Sequence, residues 1–226
     1  RPAGDRCAMA NSSYIGAAAL LRDGGRSSVV RSGYAPVLLL LDQEVILRDE
    51  WDDLPLKVRD ELTAAPDLDA LLPALLRRNL LTRFQAGMIR EGNGPLLTIG
   101  QYRLLEPLGR GGMGVVYRGE HRHLRRPVAV KVMAERASGN ARLSSRFFTE
   151  ARVVARLQHP NIVACLDAGW DLPRTPGAPA RGYYVMDLVA GTDLAAAVAA
   201  SGPLPVHRAA DLFRQVAEAL AEDHRF

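Results

Sequence analysis

A change of pattern at Tyr102 constrains this fold more than any other feature of the sequence. Before Tyr102 the apolar residues follow a leucine-rich helical spacing, and after it they alternate with polar residues as strands do. The alternating segments lie at 102–109, 114–121, 126–133, 161–170 and 182–189. A helical pattern at 143–157 separates the third segment from the fourth, and two more begin near Asp193 and Pro205. This order predicts an α+β fold with a five-stranded antiparallel sheet and one helix inserted after its third strand.

The region before the sheet is predicted to be a small helical module at residues 36–99. Its apolar residues keep a helical period, and Pro73 is expected either to start or to kink one short helix. Thr82 followed by Gln85 is a capping box, which is typical of the first turn of a helix. Gly92 is a suitable residue for the end of that helix. Nothing in this module indicates catalytic chemistry.

Composition and local pattern argue against a membrane-spanning segment and against a cysteine metal site. Residues 1–35 contain clusters of Gly, Ser and Arg with little periodicity and are predicted to be a flexible leader. The longest aliphatic run, Val37–Leu41, is far too short to span a bilayer. Cys7 and Cys165 fit no metal-binding spacing, which favours free thiols in a cytoplasmic protein. The net charge of +4 suits a nucleotide as ligand but is more often only a solubility feature, and no nucleic-acid partner is predicted.

The segment LGRGGMGVVY carries glycines at the spacing G-x-G-x-x-G, namely Gly109, Gly111 and Gly114. Glycine allows positive φ angles and lets backbone N–H groups approach phosphate oxygens, although the same spacing also occurs in ordinary hairpins. A dinucleotide-binding turn would require a helix directly after the glycines, whereas β-branched and aromatic residues follow here. No Gly-Lys-Ser/Thr sequence is present, which excludes a P-loop. The glycines are therefore predicted to join two strands.

The motif VAVK at 128–131 is predicted to place Ala129 and Lys131 on the side of the third strand that faces the glycine loop. Lys57 and Lys131 are the only lysines among 29 basic residues, so a lysine inside an apolar strand calls for a chemical reason. Taken alone, the strand favours a lysine that extends from a sheet edge into solvent.

Glu150 interrupts the apolar face of the helix that follows. That face consists of Leu143, Phe147, Glu150, Val154 and Leu157. Burying an unpaired carboxylate there would cost several kcal/mol, so Glu150 needs a partner, and Lys131 is the obvious one. The simpler alternative is that Glu150 lies at the border of the face and is solvated. An ion pair would hold the lysine ammonium where it could reach phosphate groups.

Taken together, these features occur in the order typical of one family. The glycine loop, VAVK, the helix with Glu150, and the segments HPNIV and YYVMDLVAGTDL resemble the bacterial eukaryotic-like (Hanks-type) serine/threonine protein kinases. The resemblance covers residues 101–226. It implies the smaller lobe of the protein-kinase fold with its helix C, followed by the first helices of the larger lobe. The predicted kinase domain therefore occupies residues 100–226, and the helical module resembles the stretch that precedes it in some bacterial members.

The resemblance also implies a site for ATP and Mg²⁺. Lys131 would contact the α- and β-phosphates while paired with Glu150, and these two are the catalytic residues expected within the chain. The hairpin expected to cover the phosphates consists of Leu108, Gly109, Arg110, Gly111, Gly112, Met113 and Gly114.

The base and sugar of ATP would contact a second group of residues implied by the resemblance. These residues are Val116, Ala129, Met186, Asp187, Val189 and Asp193. Val116 and Ala129 would pack on the adenine ring, with Met186 at the back of the pocket, although Met186 also suits a plain core strand. Main-chain groups of Asp187 and Val189 would bond the adenine edge, and Asp193 takes a position that often contacts ribose.

The sequence departs from the family pattern at its end. The final helical pattern matches the helix that leads into the catalytic loop, yet the 226 residues contain no His-Arg-Asp and no Asp-Phe-Gly. His224 and Arg225 come several residues too early to be the catalytic triplet. The expectation is a chain cut before its catalytic loop, which lacks the base and both Mg²⁺ ligands and has no kinase activity by itself.

The expected parent protein transfers the γ-phosphoryl group of ATP to Ser or Thr hydroxyls of protein substrates. The alternative is a pseudokinase or nucleotide-sensing module, which would never have supported transfer. The glycines of the loop, Lys131 and Glu150 are all intact, and a non-catalytic lineage has less need of the full set. This favours an active parent. The chain itself is predicted to be cytoplasmic. The sequence does not decide whether a downstream segment anchors the parent protein in a membrane.

Overall fold

A computed structural model describes residues 35–135, 139–172 and 179–223 of the 226-residue chain, without the side chains of 222 and 223. The leader predicted at 1–35 lies almost entirely outside the described residues, as do Cys7, His224 and Arg225. Within the described part, no helix is long and apolar enough to cross a membrane.

From residue 35 onward, where the structure describes the chain, five helices precede the sheet and enclose a hydrophobic core of their own. They are α1 (Pro36–Asp42), α2 (Arg48–Asp52), α3 (Leu56–Thr63), α4 (Leu68–Arg77) and α5 (Arg83–Arg90), followed by a 3-10 turn at Gly94–Leu97. Leu71 and Leu75, one turn apart on α4, are completely buried in that core. These helices are therefore held mainly by burial of apolar side chains, which are leucines on α1, α3 and α4, Trp51 on α2, and Ala86 and Ile89 on α5.

Local signals fix the ends of these helices. The predicted capping box is confirmed: the Thr82 hydroxyl accepts from the Gln85 N–H, and the Gln85 side chain accepts from the Thr82 N–H. Gly92 has φ +79° just beyond α5, a left-handed conformation that favours glycine and ends the helix as predicted. Pro73 lies inside α4 and does not start it, because Asp67 caps the first turn.

The sheet has six antiparallel strands in the order β1-β2-β3-β4-β6-β5. The strands are β1 (Thr98–Ile99), β2 (Tyr102–Gly111), β3 (Gly114–His121), β4 (Pro127–Met133), β5 (Cys165–Asp171) and β6 (Arg181–Asp187). Five of them are the predicted strands. The additional strand, β1, has only two residues, too few for an alternating pattern to reveal it.

The alternation predicted for β4 is confirmed. Val128 and Val130 are buried with Val185 in the cluster on one face of the sheet. Ala129 and Lys131 therefore lie on the other face, opposite Met186 and Tyr184 of the neighbouring strand β6.

Helix α6 (Ala141–Arg156) connects β4 to β5 and packs on the face that carries Lys131. Asn140 caps its first turn by accepting from two backbone N–H groups. Phe147 is completely buried and packs with Ala151 and Tyr184 in a cluster that joins the helix to the sheet. The helix thus matches the segment predicted at 143–157, and its apolar face sets the direction of Glu150.

Two helices end the described chain, α7 (Leu194–Ser201) and α8 (Val206–Asp223). Asp193 caps α7 by accepting from the Ala196 N–H at 2.8 Å. One face of α8 lies near the end of α6, where the Asn161 side chain donates to the Gln215 carbonyl. Phe213 of the same helix is exposed, with an exposed fraction of 75%.

Candidate nucleotide site

Lys131 and Glu150 meet at the centre of the candidate site. Strand β4 directs Lys131 toward α6, and the buried face of α6 directs Glu150 toward β4. The Lys131 ammonium donates to Oε1 of Glu150 at 2.7 Å, which confirms the predicted contact. The pair fixes the lysine head between the helix and the strand. Lys131 is opposite Val116, just beyond the glycine hairpin formed by β2 and β3 (residues 108–114).

The electrostatics of this pair favour the charged form of the carboxylate. Burial raises the pKa of Glu150, but hydrogen bonds from Lys131 and Tyr184, together with the lysine charge, outweigh it and leave the pKa below its ordinary value. Glu150 is only partly buried, with 38% of its side chain exposed. The carboxylate is therefore ionised near neutral pH and still accessible to solvent.

Tyr184 belongs to this group, although the sequence reasoning did not select it. Its hydroxyl donates to the same Glu150 oxygen at 2.7 Å, and the Lys131 nitrogen lies 5.4 Å from its ring centroid. The feature that identifies Tyr184 is the strand register, because Tyr184 on β6 lies directly opposite Lys131 on β4. That register depends on a pairing between distant segments, which the sequence pattern alone does not fix.

The glycine hairpin extends beyond the sheet and is largely exposed. Backbone pairing continues to its tip, where Gly111 lies opposite Gly114. A Cβ atom on Gly114 would lie 2.1 Å from the Val132 carbonyl oxygen, so close packing on β4 requires glycine at that position.

At the other glycines of the hairpin, close packing does not explain why the residue is glycine. A Cβ atom on Gly109, Gly111 or Gly112 would meet no atom within 4 Å. Within the described residues, positive φ angles occur elsewhere and not at these three positions. Neither crowding nor backbone conformation therefore explains glycine here, whereas close approach of a ligand to the backbone would.

The predicted adenine-side residues share the face of the sheet that carries Lys131. Register pairs Val116 of β3 with Lys131 and pairs Ala129 of β4 with Met186 of β6. Cross-strand partners point to the same face, so the four side chains form a continuous surface below the hairpin. Ala129 is buried, and Met186 is half-buried against the α6 cluster.

The remaining predicted residues lie at the rim of this surface. The Asp187 N–H donates to the Ala164 carbonyl at 3.1 Å, and its side chain binds Arg126 at 2.5 Å. Val189 is exposed just after β6, and Asp193 caps α7. Leu108, Arg110 and Met113 complete the glycine hairpin, and Met113 packs partly against the α6 cluster.

Among the residues that the structure describes, no group of three or more His, Cys, Asp or Glu side chains could hold a metal ion. Cys165 is a half-buried free thiol whose pKa is raised by burial. This thiol is therefore a weak nucleophile, and it packs against the cluster that joins α6 to the sheet.

A curled antiparallel sheet with a glycine hairpin above a paired lysine and glutamate is the smaller lobe of the protein-kinase fold. The family of the protein kinase domain matches residues 102–225, more than half of this chain. The chain belongs to the protein kinase family, and its relatives place it among the bacterial Hanks-type members. Protein kinases as a family use ATP and Mg²⁺.

Several bacterial proteins are similar to it in sequence. Serine/threonine-protein kinase pkn2 of Myxococcus xanthus is 39% identical over 129 residues, which are 57% of this chain and 15% of pkn2. PknE of Mycobacterium tuberculosis is 39% identical over 135 residues, covering 60% of this chain and 22% of PknE. The chain thus spans less than a quarter of either relative.

Among solved structures, the kinase domain of PknI from Mycobacterium tuberculosis is similar at 31% sequence identity with a TM-score of 0.46. The similarity covers 57% of this chain and 49% of the PknI chain.

Proposed function

We propose that this chain is the ATP-binding part of a serine/threonine protein kinase, which transfers the γ-phosphoryl group of ATP to Ser or Thr hydroxyls of proteins. The single observation that carries the proposal is the position of Lys131. Its ammonium is paired with Glu150 at 2.7 Å, and in the sheet Lys131 is opposite Val116, two residues after the last glycine of the hairpin. Three glycines of that hairpin have no side chain for a reason that the fold does not supply. A cation close to a glycine hairpin is an arrangement suited to a polyphosphate.

Each group of residues has a distinct task in this proposal. Lys131 binds the α- and β-phosphates, and Glu150 keeps the ammonium in position while balancing its charge. The backbone of residues 108–114 covers the phosphates. Rate acceleration in such a site comes from positioning and charge neutralisation, because phosphoryl transfer needs little covalent chemistry from the protein.

The adenine ring lies on the apolar surface of Val116, Ala129 and Met186 in this proposal. Main-chain groups of Asp187 and Val189 bond its edge. Asp193 is assigned to the ribose with one qualification: one of its carboxylate oxygens already accepts from the Ala196 N–H, so a ribose contact would use the other oxygen.

The proposal assigns residues 36–99 to a helical module and 100–226 to the kinase domain, in the cytoplasm. The base and the two Mg²⁺ ligands of protein kinases come from the His-Arg-Asp and Asp-Phe-Gly motifs, which are absent from these 226 residues. We therefore infer that residues 1–226 bind ATP but do not transfer phosphate. Incorporation of labelled phosphate that disappears with Lys131→Met would contradict this inference.

Titration with a fluorescent ATP analogue tests the binding proposal. Replacing Lys131 with Met removes the ammonium and should weaken nucleotide binding at least about tenfold, as expected for loss of a charge-assisted phosphate contact. Lys57→Met is a matched control, because Lys57 is the other lysine of the chain and lies exposed on α3. Equal affinities of the two variants would contradict the proposed site.

A further inference from the structure

We propose that Tyr184 is a positioning residue, which holds α6 where Glu150 meets Lys131 and so assembles the site before nucleotide arrives. The contact that carries this proposal is the hydrogen bond from the Tyr184 hydroxyl to Oε1 of Glu150 at 2.7 Å. The same oxygen accepts from Lys131. The part of the proposal that concerns nucleotide rests on the proposed function, whereas the part that concerns the helix does not.

The position of Tyr184 suits this task. It lies opposite Lys131 in the register of β4 and β6, so both side chains project from the same face toward α6. Only 2% of its surface is exposed. Its ring lies 5.1 Å from the ring of Phe147, one helical turn before Glu150. Tyr184 therefore contacts two successive turns of α6, one through its ring and one through its hydroxyl.

Phenylalanine would fill the same space, so packing alone does not explain the hydroxyl. A buried hydroxyl without a partner is costly, and here the partner is a charged acceptor on a different element. Burial and the charge of Glu150 raise the pKa of Tyr184 above its ordinary value. The hydroxyl thus stays protonated, and remains a donor, throughout the physiological pH range.

The shared oxygen gives Tyr184 a further role once a phosphate binds. Lys131 then divides its donors between Glu150 and the phosphate, which weakens the bond to the carboxylate. Tyr184 continues to donate to Glu150 during this exchange, so α6 keeps one bond to the sheet that does not depend on the lysine. Without the hydroxyl, the position of α6 would depend on Lys131 and on packing.

The chain supplies its own probe of the position of α6. The Trp170 ring on β5 lies 5.2 Å from the ring of Phe148 on α6 and is partly exposed. Trp51 is the other tryptophan of the chain, so Trp51→Phe leaves Trp170 as the single emitter. Separation of α6 from the sheet would expose Trp170, shift its emission to longer wavelength and increase its quenching by acrylamide.

The experiment compares Tyr184→Phe with Tyr183→Phe in the Trp51→Phe background. Tyr183 is the neighbouring buried tyrosine on the opposite face of β6, so its replacement removes a hydroxyl without affecting Glu150. We expect a red shift and greater quenching with Tyr184→Phe and neither with Tyr183→Phe. Far-UV circular dichroism should show that all variants are folded. Identical Trp170 emission and quenching in the two variants would overturn the proposal.

A second background separates positioning from general repacking. In a Glu150→Ala chain the tyrosine hydroxyl has lost its acceptor, so Tyr184→Phe should produce no further change in Trp170 emission. An unchanged effect of Tyr184→Phe in that background would show that the hydroxyl does not act through Glu150, and this too would overturn the proposal.

Nucleotide affinity provides the functional measurement. Tyr184→Phe should weaken binding of the fluorescent ATP analogue about 3- to 10-fold, because a smaller fraction of the chain has α6 in the competent position. If the unmodified chain binds no nucleotide, the proposed function fails while Trp170 still decides the role of Tyr184. A second outcome is that the unmodified chain binds nucleotide, the Lys131→Met variant does not, and the Tyr184→Phe variant binds with normal affinity. That outcome refutes only the role of Tyr184 in the site.

Discussion

The sheet contacts helices in two places, and the two attachments are built differently. At the β2 edge, the Arg103 guanidinium binds both carboxylate oxygens of Glu50 on α2 at 2.7 Å, the Val45 carbonyl at 3.0 Å and Glu120 at 2.8 Å. Arg125 adds another bond to Glu50 at 2.6 Å. On strands β4 and β6, Lys131 and Tyr184 both donate to one oxygen of Glu150 on α6.

Burial also differs between the two attachments. The Arg103 side chain is 6% exposed and that of Glu50 is 18% exposed, compared with 38% for Glu150. The β2 edge has additional bonds at its bulge, where Gln85 donates to the Leu104 carbonyl and Thr82 donates to that of Leu105. A redundant buried network fixes the helical module to the sheet, whereas the polar link of α6 to the sheet is one shared, partly exposed carboxylate. We therefore expect the position of α6 to depend more on a single side chain than the position of the helical module does.

The largest effect is expected at Glu50. Glu50→Ala leaves the buried Arg103 guanidinium without its bidentate partner and should lower the free energy of unfolding by about 3–5 kcal/mol. Denaturant titration measures this loss. Glu61→Ala is the control, since Glu61 forms an exposed pair with Arg78 and should cost less than about 1 kcal/mol. Similar losses in the two variants would mean that the network at the β2 edge is not a fixed attachment.

Gln85 should have the next largest effect. Its side chain is buried, accepts from the Thr82 N–H and donates to the Leu104 carbonyl, so Gln85→Ala leaves two backbone groups unpaired. We expect a loss of about 1–3 kcal/mol in unfolding free energy. Gln158→Ala, at an exposed position, is the control and should be nearly neutral. A neutral Gln85→Ala would show that α5 does not stabilise the bulge of β2.

Glu150 should contribute less to stability than Glu50 and more to ligand binding. Because Glu150 is partly exposed and its pair is screened by solvent, Glu150→Gln should cost only about 1 kcal/mol of unfolding free energy. The same variant should bind the ATP analogue more weakly, since Lys131 loses its charged partner. A stability loss equal to that of Glu50→Ala, measured by the same titration, would remove the distinction between the two attachments.

The smallest effect is expected from acidification. Burial raises the pKa of Glu50 and of Glu150, but bonds from Arg103 and from Lys131 outweigh it, so both values lie below the ordinary 4.5. A lowered pKa contributes stability above pH 4.5, which is lost as the pH falls through the folded value. The free energy of unfolding that is lost between pH 6 and pH 3 should be smaller in Glu50→Gln than in the unmodified chain. In Glu150→Gln the loss should also be smaller than in the unmodified chain, but the difference should be less than in Glu50→Gln. Equal losses in all three chains would contradict this assignment.

Periodicity was sufficient to predict helices α4 to α8 and five of the strands, whereas α1, α2 and α3 were predicted only as a helical region. Together with one charge argument, periodicity also predicted the Lys131–Glu150 contact. Ala129 and Lys131 share a face because strand residues alternate, and the polar interruption of an apolar helical face required a cationic partner. Both inferences use local spacing plus one charge argument. They needed no knowledge of which strands are neighbours in the sheet.

Contacts that depend on distant pairing could not be predicted in this way. Arg103 and Glu50 are separated by 53 positions, and no spacing rule relates an arginine at the start of a strand to a glutamate in a short helix. Tyr184 faces Glu150 only because β6 pairs with β4 in one particular register. Such contacts follow from topology and from packing of the completed core.

The central claim is that Gly109, Gly111 and Gly112 of the hairpin serve a ligand and not the fold, and Gly111→Val tests it most directly. Since a Cβ atom on Gly111 meets no atom within 4 Å and its φ is not positive, the substitution should leave the melting temperature unchanged or slightly higher. Gly87→Ala, at an equally uncrowded glycine on α5, is the control. We predict that Gly111→Val weakens binding of the ATP analogue about tenfold while Gly87→Ala leaves it unchanged. Unaltered affinity in a folded Gly111→Val chain would contradict the account.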